Sequence, residues 1–316
     1  MNVHLSFDVE VWCNGWDSLD ARFPEAYERY VYGRSVHGEY ALPKTLEILQ
    51  RHGLKGVFFV EPLFSARFGH DFLVRIVEMI DRAGQDVQLH LHPEWVDEIQ
   101  PALLDNVSSK RQHMIHYSLE EQKRLIEIGR QAIEAVTGRS VSAFRSGSYA
   151  CNEDTYRALE ANGIKVDSSL NEVAGNISGI GLPRPQHVPA TIGQVRSYPI
   201  SVFEDGFGRL RPAQVGACSF AELRAALLDA HALGLPDFVI VSHNFEMLKP
   251  GSSQRDVIVS RRFSALCEFL ASEPEKFKVG SYSTKGEESY GSSRRPSVGL
   301  FPTTLRYAEQ ALRRLI

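Results

Sequence analysis

Short runs of uninterrupted apolar residues, separated by amphipathic helical stretches, constrain this chain more than any other feature. Gly56-Val57-Phe58-Phe59-Val60 and Phe238-Val239-Ile240-Val241-Ser242 show no polar alternation, the pattern of strands covered on both faces. Strands alternating with helices predict a parallel sheet, open or closed into a barrel. Residues 41–52 put Leu42, Leu46 and Leu49 on one helical face, and Gly53 stops them. Ser118-Leu119-Glu120-Glu121 and Ser219-Phe220-Ala221-Glu222 are capping boxes that open two further helices. More helices are expected near 71–82, 153–162 and 256–271, and strands at 86–90, 141–144, 164–167, 195–200 and 277–279. Trp12 to Gly38 lacks clear periodicity and is expected to be a long loop with a helical turn near Glu25–Tyr32.

Bulk properties narrow the classes of function. The 316 residues suffice for one large α/β domain, and 43% hydrophobic with 23% charged is ordinary for a globular chain. A formal charge of −4 without a Lys/Arg block argues against nucleic acid as a partner. The N-terminus enters a strand directly, with no basic flank or apolar leader, so the expected location is cytoplasmic. The four cysteines, Cys13, Cys151, Cys218 and Cys267, are scattered and lack C-x-x-C spacing, which reads as free thiols in a reducing compartment. Neither G-x-G-x-x-G nor G-x-x-x-x-G-K-S/T occurs, which counts against a nucleotide-binding fold. The expected division is an α/β domain over 1–283, a Gly/Ser/Pro-rich linker over 284–302 and a terminal helix over 303–316. That helix carries Leu305, Ala308, Leu312 and Leu315 on one stripe, which would dock to a membrane face, a partner or its own domain.

In parallel α/β architectures chemistry gathers at the carboxyl ends of strands, and the unusual polar residues fall there. Asp8 and Glu10 end the first strand, two positions apart and therefore on one side of it. Two adjacent acids need a cation, a proton or an arginine to offset their repulsion. His90 and His92 repeat the same spacing in Gln88-Leu89-His90-Leu91-His92-Pro93-Glu94-Trp95. Arg145 follows the strand at 141–144, Asp167 ends the next, and His243 follows the strand at 238–242. Asp167 is read equally as a cap of the following turn and as a substrate contact, and Asn244 and Glu246 as substrate contacts or loop formers. The aromatics Trp12, Trp16, Tyr40 and Trp95 are read either as lining of a sugar cleft or as packing beneath the loops.

Carboxylate and imidazole ligands suit zinc or a similar divalent ion, whose open position would hold water. A second carboxylate can take the proton of that water, an arginine can hold this carboxylate ionised, and a histidine can protonate a departing amine. The set fits metal-assisted hydrolysis of an amide or ester.

From Ser6 to about Glu246 these segments resemble the polysaccharide deacetylase superfamily, carbohydrate esterase family four, which includes chitin and peptidoglycan deacetylases. The resemblance implies a deformed (β/α) barrel of about seven parallel strands. It implies Asp8 as catalytic base, Glu10 as a metal ligand, His90 as the first metal histidine, Arg145 as the tether of the base and His243 as catalytic acid. The sequence departs from the family pattern at two points. Val9 separates acids that are adjacent in the usual motif, and Glu94 stands where the second metal histidine is expected. Either His92 or Glu94 completes the metal shell, and His92 is favoured because a neutral imidazole adds no third acid. The D-V-E and H-L-H-P-E-W forms look like an intracellular branch linked to bacterial surface-glycan (O-antigen or capsule) biosynthesis. The implied activity is removal of an N-acetyl group, most simply with Zn2+, from an amino sugar in a glycan or a glycan precursor. The alternatives are an amidohydrolase for a non-sugar amide and a carbohydrate-binding barrel without turnover.

Overall fold

A computed structural model describes residues 1–105, 107, 109–182, 187–284 and 294–315, the last without its side chain. The chain forms two compact units. One comprises residues 1–56 and 201–281 with the described residues 294–315; the other comprises the described residues of 57–200 with 282–284.

Among the described residues, the strands are mostly parallel, as expected; besides a short parallel pair of Cys151–Asn152 with Ser178–Ile180, eight strands run parallel to a neighbour. They are β1 (Asn2–Val9), β2 (Val57–Val60), β3 (Asp86–Leu91), β4 (Ala143–Ser146), β5 (Val166–Asp167), β6 (Val195–Ser197), β7 (Asp237–His243) and β8 (Lys278–Val279). In the first unit β1 lies between β7 and β8, and its register sets Asp8 opposite His243. In the second unit the order is β2-β3-β4-β5-β6, all parallel, with Ala190–Ile192 added antiparallel at the β6 edge. Every residue of β2 is buried, as its unbroken apolar run requires.

The helices form where the caps placed them. Ser118 accepts the Glu121 N–H while the Glu121 carboxylate accepts the Ser118 N–H, opening Leu119–Thr137, and Gly138 closes it in the left-handed conformation. Halfway along, Gly129 brings this helix onto β3, where a Cβ would stand 2.8 Å from Leu89 Cδ1 and 2.9 Å from Leu91 Cδ2. Ser219 and Glu222 make the same reciprocal cap for Phe220–Ala232.

Some local expectations need correction. The segment expected as loop contains a helix, Leu19–Tyr27, continued by a wide turn over Glu28–Tyr32 and a short hairpin, Arg34–Ser35 with Gly38–Glu39. Leu19, Phe23, Ala26 and Tyr27 form its buried face, but Pro24 inside the helix interrupts the propensity signal. Arg145 and His243 lie within β4 and β7 and not after them.

The terminal helix runs Leu300–Leu315 and docks on its own unit. It does so through its polar side. Arg306 is buried and donates through Nε to Glu222 at 2.8 Å and through Nη2 to Asp205 at 3.0 Å. Arg262 pairs with Glu309, and Thr303 Oγ accepts the Gly206 N–H. The apolar stripe faces outward at Leu305 and Leu312, and the Leu315 side chain lies outside the described residues, as do residues 285–293 of the expected linker. No helix among the described residues is long and apolar enough to cross a membrane.

Removing one partner of a buried ion cluster strands the rest. Arg306→Ala should therefore lower unfolding free energy by about 3–5 kcal/mol in chemical denaturation. A loss below about 1 kcal/mol would show that water or rearrangement takes over the role of the guanidinium.

Candidate active site

In the first unit, the β1–β7 pairing creates an acid and imidazole cluster. Asp8, Glu10 and His243 each turn a potential ligand atom to within 4.8 Å of the others. Asp8 is buried at the end of β1, and Glu10, just past the end of the strand, is equally enclosed. Asn244 fixes the chain here: its Oδ1 accepts the Glu10 N–H at 3.1 Å, and its Nδ2 donates to the Glu10 carbonyl at 3.2 Å. Its own N–H donates to the Asp8 carbonyl. The Trp12 indole N–H donates to Glu10 Oε2, which ties this ring to the acid and not only to a cleft wall.

His243 Nδ1 donates to Glu246 Oε1 at 2.9 Å. Glu246 is itself held by Gln214 Nε2 at 2.6 Å, the Gly216 N–H at 2.6 Å and the Ser242 hydroxyl at 3.0 Å. Burial opposes a charge on His243. The Glu246 hydrogen bond and the carboxylates of Glu10, Glu246 and Asp8 outweigh it and lift the imidazole pKa to about 9. The ring thus holds its proton through neutral pH.

In the second unit, His90 and His92 stand at the end of β3 with ring centroids 4.8 Å apart and planes at 82°. The His90 Nδ1–H donates to the Arg145 carbonyl at 2.7 Å, and His92 Nδ1 faces Glu94 Oε1 at 3.3 Å. The Arg145 carbonyl can only accept, so a neutral His90 ring carries its lone pair on Nε2, and an ionised Glu94 carboxylate sets the same tautomer in His92. The His92 ring packs on Gly147, where a Cβ would stand 2.7 Å from His92 Nδ1 and Cε1 and 2.8 Å from the Leu91 carbonyl. Glycine at this position is therefore a requirement of the His92 ring.

Arg145 is fully buried in β4. Its Nε donates to the Ser168 carbonyl at 3.0 Å and its Nη2 to Ser168 Oγ at 2.9 Å, while Phe59 lies beneath the guanidinium at 4.3 Å. Ser168 Oγ is also 3.0 Å from the Tyr282 hydroxyl. Just after β4, Ser148 and Tyr149 both take left-handed backbone angles, φ 55° and 61°, which residues other than glycine adopt at a cost.

Asp167 caps the turn that follows it, accepting from the Ser169 N–H at 3.0 Å, the Ser169 hydroxyl at 2.5 Å and the Tyr156 hydroxyl at 2.7 Å. Burial nonetheless raises its pKa. Trp95 is buried and packs against Phe68, so it belongs to the core.

Sequence reasoning passed over Glu61, the acid that follows β2. It is buried, accepts from the Leu63 N–H at 2.8 Å, and is pushed by burial to a pKa of about 8, with the nearby His92 pulling it down and Glu94 pushing it up. Its place at a strand end was the available signal. Glu94 is buried as well, and its Oε2 has no hydrogen-bond partner.

Solved structures give a likeness of fold. The chain resembles a crystal structure of a putative polysaccharide deacetylase from Mycobacterium smegmatis, with TM-score 0.55 and 18% identity over 99% of this chain and 91% of that one. It also matches a family 4 carbohydrate esterase from Streptomyces lividans, at TM-score 0.47 and 14% identity over 93% and 97% of the two chains. A third match is a CE4 family pseudoenzyme from Bacillus anthracis, at TM-score 0.43 and 16% identity over 88% and 63%. No protein-family model matches the sequence. No curated protein matches it either. The likeness to the mycobacterial structure gives the chain the polysaccharide-deacetylase type of α/β fold expected from its strand-end motifs.

The raised pKa of His243 makes a signed prediction. Its contribution to stability is fully present below the ordinary histidine value near 6.5 and is lost as pH rises through about 9. Glu246→Gln should lower the His243 midpoint in metal-free protein by at least about one pH unit, followed by NMR of the imidazole. An unmoved midpoint would remove Glu246 from the account.

Proposed function

We propose that this chain is a divalent-metal-dependent hydrolase that removes an N-acyl group, in the simplest case acetyl, from an amino sugar. The observation that carries the reading is the Asp8, Glu10 and His243 cluster at paired strand ends, with a histidine kept protonated beside two acids. Glu10, His90 and His92 are the proposed metal ligands. The donor set fits such an ion. Glu10 supplies a carboxylate, and both imidazoles have Nδ1 committed to an acceptor and Nε2 in the ligand form. Glu94 is assigned to orienting His92, since its Oε1 faces the ring. When bound, a divalent ion acidifies water and polarises an acyl carbonyl; Zn2+ suits this mixed carboxylate and imidazole set.

The protein's own groups divide the remaining work. Asp8 is the proposed base that receives the proton of the attacking water, with Arg145 as its tether. Arg145 suits that role because Ser168 fixes its guanidinium on one edge and Phe59 covers its face. A backbone N–H at Ser148 or Tyr149, both in left-handed backbone conformation, is the proposed donor to the developing oxyanion. His243 gives its proton to the leaving amine, and Glu246 keeps it loaded until then. The proposal places the enzyme in surface-glycan assembly in the cytoplasm, a reducing compartment in which the buried thiols of Cys13, Cys151, Cys218 and Cys267 would stay reduced.

Two variants test the division of roles. Asp8→Asn should cut turnover on an N-acetylated amino sugar by about a thousandfold or more while leaving metal content near wild type. Wild-type turnover in this variant would refute Asp8 as base. His243→Ala should lower kcat by about a hundredfold or more with metal retained; loss of metal instead would make His243 a ligand. Purified protein that takes up no metal in elemental analysis would overturn the hydrolase reading and favour a carbohydrate-binding role.

A further inference from the structure

Two cavities in the first unit share part of their lining, and one of them reaches His243 of the cluster. One, of about 560 Å3, is lined by His243 and Glu246 together with Tyr30, Phe245, Arg29, Lys249 and Arg313. The other, of about 350 Å3, is lined by His37, Arg255 and Asp256, and again by Lys249 and Arg313. Lys249 and Arg313 are therefore a wall common to both, Arg29 lines the first and Arg255 the second, so four basic side chains line the pair of cavities.

Two acids, Glu246 and Asp256, line the cavities against these four cations, and they offset His243 and Arg313, so the lining keeps an excess of positive charge. Glu246 is taken up by Gln214, Gly216, Ser242 and His243. Asp256 pairs with Arg313, and its Oδ1 caps a helix by accepting the N–H groups of Ile258 and Val259. Arg29 pairs with Glu25, whose side chain is 77% exposed and so adds little. A single carboxylate on a substrate would need one cation. Four cations spread over two adjoining linings suit a larger anion with several acceptor oxygens.

We infer that this basic trough binds a phosphate or diphosphate group carried by the substrate, so that the acylated sugar arrives linked to phosphate and not as a neutral polysaccharide. The inference rests on the reading of His243 as the reacting end, and it names the substrate class for that same site. In this arrangement the N-acyl group lies at His243 while the phosphate lies between Lys249 and Arg313. The carrier beyond the phosphate is a nucleoside or a lipid.

The test is binding of inorganic pyrophosphate to the full-length, metal-free protein by calorimetry, in the presence of a chelator. Lys249→Gln with Arg255→Gln is the variant of choice, because Arg313 also anchors the terminal helix through Asp256. Affinity should fall by about tenfold or more in the double variant, the loss expected for a charge-assisted hydrogen bond, and it should weaken with added salt. Lys249→Arg should keep most of the affinity, and matched melting curves exclude unfolding as the cause. Free N-acetylglucosamine should not displace the probe. Of two further ligands, a uridine-diphosphate-linked and a polyprenyl-diphosphate-linked N-acetyl sugar, the one whose binding falls in the double variant identifies the carrier. Absence of pyrophosphate binding at millimolar concentration, or equal binding by wild type and double variant, would overturn the inference. An inactive protein that binds pyrophosphate refutes the deacetylase reading alone, and an active one that ignores pyrophosphate refutes the trough alone.

Discussion

The parallel pairing of β1 with β7 is the constraint on which the chemistry depends. Its register sets Asp8 across from His243, and Glu10 follows one residue past the end of β1. Two buried carboxylates so close repel, and burial removes the water that would screen them. The protonated imidazole is one answer to that repulsion. It is kept charged by a third acid, Glu246, which four donors hold in place. The cluster thus has a built-in preference for positive charge, which the proton on His243 satisfies.

The second unit solves a different problem, that of presenting nitrogen lone pairs from a fully buried strand end. Each imidazole at β3 gives its Nδ1–H to an oxygen and leaves Nε2 basic. Backbone geometry enforces the arrangement: β3 pairs with β4 so that the Arg145 carbonyl is within reach of His90, and Gly147 leaves room for the His92 ring. Gly129 lets the covering helix come down onto Leu89 and Leu91. Two glycines thereby determine how closely β3 is enclosed, and tight enclosure lowers the dielectric in which the imidazoles act.

Much of this was legible in the sequence because parallel strands buried on both faces tolerate polar side chains almost only at their ends. Asp8, Glu10, His90, His92, Arg145 and His243 stand out against apolar runs for that reason. Boundaries were less legible: β4 and β7 extend through Arg145 and His243, since a buried polar residue inside a strand looks like the strand's end. The helix at Leu19–Tyr27 was obscured by Pro24, although its buried positions keep helical spacing. The roles of Asn244 and Glu246 depend on how one turn folds back, which no periodicity reports. The partners of Arg306 are 84 and 101 residues away in sequence, and no local signal joins them.

The terminal helix shows how far an apolar pattern can mislead. Its stripe at Leu305 and Leu312 suggested the docking face, yet Thr303 and Arg306 are the residues buried. A guanidinium enclosed between Asp205 and Glu222 contributes little net stability compared with an apolar contact of the same size, because all three charges lose their water. What it does contribute is a single rotational setting, since any turn of the helix would strand a buried charge. That setting carries Arg313, seven residues further and hence nearly two helical turns along, to Asp256 and the wall shared by both cavities. A docking face built from hydrocarbon alone would have tolerated slippage, and the position of Arg313 with it; the charged face fixes both.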